Sequence, residues 1–232
     1  MSDREQNPIL EAVPQEVDLA LRHQPLQKRA HVRMAAILEA AHAVLRRDGA
    51  EAATATGIAR EAGVAVGSFY HYFPNKEAAF LALYEGKLSE LRTFALDVSP
   101  APGTRREALR TWVVALKEEE LRIGFDFALF DAVHHYGRLA SIAARHAEAM
   151  AQAMVKRLQA LGSTWSEAAL FDICLNAFFM NGSSWLYWRA SGGYAPRAIT
   201  RLADAVSAVL EATFDPAQEP PGPYLTPQTL KP

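Results

Sequence analysis

Thr54 to Lys76 reads TATGIAREAGVAVGSFYHYFPNK, and the rest of the chain is organised around it. Thr54 stands where a helix N-cap is expected, its hydroxyl placed to accept from a backbone N–H two or three residues on. Ile58, Ala59 and Ala62 then recur on one helical face. Gly63 follows, the residue type that turns a chain through positive φ at no steric cost. A second helix is predicted over Val66 to Phe73, with Phe69 and Phe73 at i, i+4 turned inward. Ala65, Val66, Gly67, Ser68, Tyr70 and His71 are then left outward. This small–glycine–apolar spacing lets two short helices cross closely around one apolar anchor, as in a helix-turn-helix unit.

Working outward, a first helix is predicted at about 28–47. Ile37, Leu38, Ala41, Val44 and Leu45 form its buried stripe, and Gly49 ends it. Pro74 stops the second short helix. Asn75 can cap a long connecting helix over residues 76–97, with Glu77 in its first turn. Ser99-Pro-Ala-Pro-Gly103 is the clearest boundary in the chain. Beyond it, helices are expected at about 104–121, 124–135, 138–161, 165–190 and 196–214, and no strand alternation competes with them. The organisation is a mobile arm at 1–27, a helix-turn-helix domain at 28–75 and a connecting helix at 76–97. A larger helical domain at 98–214 and a loose, proline-rich tail at 215–232 follow. The fold class is all-α, with about nine helices in total by this reading.

The 232 residues are enough for one large or two small domains, and 50% are hydrophobic, which argues against disorder throughout. The net charge of −2 excludes a protein basic all over. It leaves room for a local basic surface, which is what nucleic-acid binding requires. From Arg22 to Asp48, six basic residues stand against Glu39 and Asp48 alone. A single cysteine rules out an intrachain disulfide framework and suits a reducing cytoplasm. The first residues show no secretory pattern, and no run approaches the roughly 18 apolar residues of a membrane span.

Gly49, Thr54, Ile58-Ala59, Ala62-Gly63-Val64, Gly67-Ser68, Phe69-Tyr70-His71-Tyr72-Phe73 and Lys76-Glu77 follow one another in a distinctive order and spacing. In this, residues 28 to 96 resemble the N-terminal domain of TetR-type transcriptional regulators. The resemblance implies a homodimer that binds a palindromic double-stranded DNA operator, most simply a repressor released by a small-molecule effector. It implies an effector chamber and a dimer interface in the C-terminal helices, no enzymatic activity and no cofactor.

The second short helix would enter the major groove. Ala65 and Val66 offer apolar surface to thymine methyl groups, and Ser68 can donate to or accept from a base edge. His71 can reach a base or a phosphate. No Arg, Asn or Gln stands on this helix for bidentate base contacts, so specificity should lean on DNA shape and phosphate register. Thr54, Tyr70 and Lys76 match the family's phosphate-binding positions. Lys28, Arg29 and Arg33 are the strongest members of the basic flank, which otherwise reads as a solvated helix face. Tyr72 is read as packing against the first helix.

For the effector, Trp112 and Leu116 are candidates on one helix, with Phe127, Phe130 and His134 on the next. Met150, Met154, Phe178 and Asn181 complete the set, which suits an apolar or aromatic molecule. Each such residue, taken alone, reads equally as plain core. The penultimate helix is apolar nearly all round and must be covered on two sides. Phe171, Leu175, Trp185 and Trp188 on it, with Leu202, Val206 and Val209 on the last helix, are the candidates for a dimer interface; intrachain core is the other reading.

His134 and His135 are adjacent and point about 100° apart, so they cannot easily chelate one ion, and no metal is expected. Cys174 reads as an inert core thiol. No nucleophile–base order or phosphate loop supports catalysis. Two other readings stay open. In one, the DNA head is kept and the C-terminal domain only dimerises or holds a protein partner; in the other, the chain is an all-α enzyme or lipid carrier whose helix-turn-helix resemblance is accidental.

Overall fold

The computed structural model describes residues 28–98, 102–135, 137–192 and 196–227, the side chains of 28–29 and 133–140 excepted. The expected arm at 1–27 therefore lies outside the described residues. Among those described there are nine α-helices, two short 3-10 turns and no strand. The chain divides into two compact units, one ending at Leu83 and one from Tyr84 onward, with His135–Gly137 grouped with the first.

The first unit holds α1 (Lys28–Ala52), α2 (Ala55–Glu61), α3 (Val66–Tyr72) and the start of α4 (Lys76–Asp97). Ile37, Ala41, Val44 and Leu45 on α1 are buried, as the periodicity predicts, together with Ile58, Ala59, Phe69, Phe73 and Phe80. The regular helix ends at Gly49, as expected. That residue breaks it at φ 77°, and a last turn resumes through Ala52. The left-handed backbone is open to glycine without a Cβ penalty.

The second unit holds the rest of α4, then α5 (Arg105–Arg122), α6 (Phe127–His135), α7 (Gly137–Ala160), α8 (Glu167–Ala190) and α9 (Pro196–Glu211). Thr104 and Glu107 form a reciprocal capping box at the start of α5, and Ser166 caps α8. α9 packs along α5 and α8. One apolar cluster runs through Leu109, Trp112, Met150, Met154, Leu170, Cys174 and Val206; a second gathers Trp185, Trp188, Ala198 and Ile199. Burial pushes the Cys174 thiol up from its ordinary range, so it is a core residue with little thiolate character.

The described part of the tail is tied down rather than loose. Trp165 Nε1 donates to the Asp215 carbonyl at 2.8 Å. Ser166 donates from N and Oγ to the Glu219 carboxylate at 3.2 and 2.5 Å, and Leu225 N donates to Asp172 Oδ1 at 3.0 Å. Proline-rich composition suggested a mobile segment; side-chain carboxylates at fixed places on the fold supply the partners that composition cannot reveal.

Candidate functional site

In the first unit the local geometry starts at Thr54. Its Oγ1 accepts from Gly57 N at 3.0 Å, closing the N-terminus of α2. A Cβ at position 57 would stand 3.0 Å from that same oxygen, so the cap and the glycine go together. After α2 the chain turns at Gly63, φ 65°, and Val64 N reaches back to Ala59 O at 3.0 Å. α3 then sits on a wedge of aromatic rings. Phe69 and Phe73 are 0% exposed with centroids 5.6 Å apart, and Tyr72 packs inward as expected. The opposite face is open: Ala65, Val66, Gly67, Tyr70 and His71 are exposed, and Ser68 is half-buried. Asn75 Oδ1 accepts from Ala78 N at 2.8 Å to start α4.

Two basic residues are engaged inside the unit. Lys76 was expected beside helix N-terminal amides, with its ammonium free for phosphate. Instead, its Nζ donates to the carbonyls of Ala50, Glu51 and Ala53 at 3.1, 2.8 and 2.8 Å. These are the carbonyl-rich final turn of α1 and the residue after it, where a cation is favoured. All three ammonium donors are thereby occupied. Arg47 is ion-paired with Asp48 at 2.9 Å and Glu61 at 2.8 Å. Arg33 is exposed. The Lys28 and Arg29 side chains lie outside the described residues.

In the second unit, six of the nine expected effector residues meet. Trp112, Leu116, Met150, Met154, Phe178 and Asn181 line one cavity of about 30 Å³, with Glu120 among its other walls. Phe127 and Phe130 do not join them. Their rings pack on Trp185 at 5.6 and 6.4 Å in the second apolar cluster. The side chain of His134 lies outside the described residues. A larger surface hollow of about 440 Å³ lies elsewhere, between α7, α8 and residues 226–227, and shares none of the expected effector residues.

Beside the cavity lies a polar network that the sequence reading missed. Lys117 Nζ, 0% exposed, donates to Glu120 Oε2 at 2.5 Å, and Asn181 Nδ2 donates to Glu120 Oε1 at 2.8 Å. The same ammonium lies 5.0 and 5.3 Å from the ring centres of Trp185 and Trp188, whose π faces attract it. In the sequence, Lys117-Glu-Glu-Glu120 looks like a solvated run. The available signal was spacing, because Val113, Lys117 and Glu120 fall on one helical face at i, i+4, i+7. His146 was also missed. It is 4% exposed and meets Arg92 Nη1 at 3.5 Å through Nδ1, with the Phe178 ring at 5.5 Å. Burial first, then the Arg92 charge, pushes its imidazole down to about 3.

The proposed interface residues need correction. Phe171, Leu175, Trp185, Trp188 and Val206 are buried in the single chain, Trp188 at 0% exposure, so none offers a surface to a second copy. Leu202 and Val209 are half-buried. The large apolar side chains that α8 does expose are Phe179, Leu186 and Tyr187. The reason is that α6 and α9 cover the side of α8 carrying the tryptophans.

Residues 37–83, which span the α1 stripe, the two short helices and the start of α4, match the family model for bacterial regulatory proteins of the tetR family. The first unit thus carries a tetR-type N-terminal domain. Among curated protein sequences none matches it. Its fold is similar to that of a transcriptional regulator from Rhodococcus, at 19% identity over 78% of this chain and 97% of the other, with a TM-score of 0.63. A TetR-family transcriptional regulator from Streptomyces coelicolor aligns at 22% identity over 78% and 99% of the two chains, TM-score 0.58. The fatty acid degradation regulator FadR from Bacillus halodurans aligns at 22% identity over 77% and 94%, TM-score 0.58. At these identities the likeness speaks for the fold. TetR-family proteins are transcription regulators rather than enzymes, and they bind DNA. Among the described residues, no helix is long and apolar enough to cross a membrane, and no cluster of three His, Cys, Asp or Glu is placed to hold a metal ion.

Proposed function

We propose that this chain is a cytoplasmic tetR-type repressor that binds a palindromic operator as a homodimer and leaves it when a small, largely apolar effector enters the second unit. The observation that carries the reading is the two-sided α3. Phe69, Tyr72 and Phe73 fix it from within, and Val66, Gly67, Tyr70 and His71 are exposed on the side that would meet DNA. Ser68 and His71 would touch base edges, and Tyr70, Thr54 and Arg33 would set phosphate register. The Thr54 hydroxyl accepts at its own helix start, which leaves its O–H free to donate. Dimerisation would use the exposed Phe179, Leu186 and Tyr187 of α8.

A route from effector to head is at hand in α4. Phe178 walls the cavity and packs edge-on against His146; His146 meets Arg92 of α4, which is paired with Glu85 at 2.7 Å. α4 is the helix that begins at Lys76 in the first unit. A coupling of about 1–3 kcal/mol along it would change operator affinity usefully. The second reading, a C-terminal domain that only dimerises or holds a protein partner, is favoured by the smallness of the cavity, about 30 Å³.

The test is a mobility-shift titration of the dimer on its own upstream region at several salt concentrations. The reading predicts a specific complex whose affinity falls steeply with salt. It is lost if the chain stays a monomer with DNA present or binds all sequences alike. Should Ser68→Ala and His71→Ala abolish operator preference while sparing non-specific affinity, readout is direct rather than through shape.

A further inference from the structure

We infer that the cavity of the second unit takes an uncharged, mainly apolar molecule bearing one hydroxyl, and that the hydroxyl seats between Trp112 and the Glu120–Asn181 pair. The inference rests on the sensor reading above and narrows it to a ligand class.

Three observations carry it. The first is a donor without an acceptor. Trp112 is 3% exposed and walls the cavity, and its Nε1–H finds no hydrogen-bond partner. Indole nitrogen can only donate, so the group that completes it must bring an acceptor. The second is an acceptor held in place. Asn181 gives its Nδ2 to Glu120, which fixes the amide and leaves Oδ1 able to accept. A hydroxyl both accepts and donates, and so answers both walls at once; a halogen or a bare ring answers neither.

The third observation is charge. The carboxylate of Glu120 is already matched by Lys117 at 2.5 Å, and the ammonium of Lys117 is matched again by two tryptophan faces. Arg157 lies over the Trp112 ring at 4.9 Å and donates to the Val98 carbonyl. Arg157 is not among the cavity walls, whose one charged side chain is Glu120, paired with Lys117. A carboxylate or ammonium brought in by a ligand would be buried without a counter-charge, which is strongly disfavoured. The remaining walls are apolar, and Met150 and Met154 are the side chains best able to yield. They must yield, since a cavity of about 30 Å³ holds a water molecule or two, at about 10–15 Å³ each.

The test uses four single-ring probes on the full chain: phenol, benzene, benzoate and benzylammonium, followed by calorimetry and by melting temperature. Phenol should bind about tenfold tighter than benzene, the effect of one good hydrogen bond, and the two ions should show no binding. Trp112→Phe should shrink the phenol-over-benzene ratio to about threefold or less and leave benzene binding intact. Asn181→Leu removes the other partner without touching the tryptophan, and should shrink the same ratio. If benzoate or benzylammonium binds tighter than phenol, or the ratio survives both substitutions, the inference is overturned and the sensor reading stands. If no probe binds while the chain still shifts its upstream DNA, the sensor reading fails with it.

Discussion

In the first unit the rings of Phe69, Phe73 and Phe80 close an apolar core, and the side chains that would do chemistry, Tyr70 and His71, face away from it. In the second unit Lys117, Glu120 and His146 lie inside, among tryptophans and a phenylalanine. The difference teaches where each unit is vulnerable. An outward polar group can be lost at little cost to folding, because water replaces what it touched. A buried one cannot, because removing it orphans its partner. On α3, stability and function therefore fall to different residues, whereas the second unit ties them together.

The strongest challenge to that contrast is Lys117→Ala. It leaves Glu120 buried with the Asn181 amide but no counter-charge, and should cost about 3–5 kcal/mol in urea unfolding. The double change Lys117→Met with Glu120→Leu should recover most of the loss; if the single change is harmless, the pair is not the buried network described. Next comes acid. His146 has its pKa held at about 3 against an ordinary value of 6.5, so the unfolded chain binds the extra proton between those values. Stability is then complete above about pH 6.5 and falls as pH drops toward 3, by about 1.4 kcal/mol per unit. Between pH 7 and 5 the wild type should lose about 2 kcal/mol more than His146→Gln, read from urea midpoints.

Smaller effects sharpen the first unit. Lys76→Met removes three hydrogen bonds to the end of α1 and should cost about 1–2 kcal/mol of stability. With its donors occupied, it should leave the salt slope of operator binding unchanged; a slope reduced by about one would mean that Lys76 meets a phosphate after all. Smallest is Tyr70→Phe, which takes one hydroxyl from an exposed ring. Melting should not move, and operator affinity should fall by about fivefold, about 1 kcal/mol.

How far the sequence could be read follows the same division. Thr54, Gly63, Phe69, Phe73 and Asn75 act on neighbours within a few residues, so their types and spacing revealed the caps, the turn and the anchor. Lys76 shows the limit even here. Its position in the motif is plain, but its partners lie 23 to 26 residues back, and no local rule points to them. In the second unit the i, i+4 pairs Trp112–Leu116 and Met150–Met154 were legible as shared helix faces; that they would meet Phe178 around one chamber was implied only by the family resemblance. Which face of α8 remained exposed was not legible. A helix apolar nearly all round gives no periodic signal, so Trp185 and Trp188 were candidates for a dimer surface until α6 and α9 were seen to cover them.

Sequence by itself determined the helical class, the glycine turn between α2 and α3, and which residues of α3 face in or out, since hydrogen bonds and periodicity over three or four residues are written in residue type. Only the tertiary structure decided that Lys117 and Glu120 are buried together, that Trp112 keeps an unanswered donor beside a small cavity, and that the chain after Asp215 is tied to α8. Those outcomes depend on contacts between segments far apart in the chain, and such contacts are fixed by packing rather than by local preference.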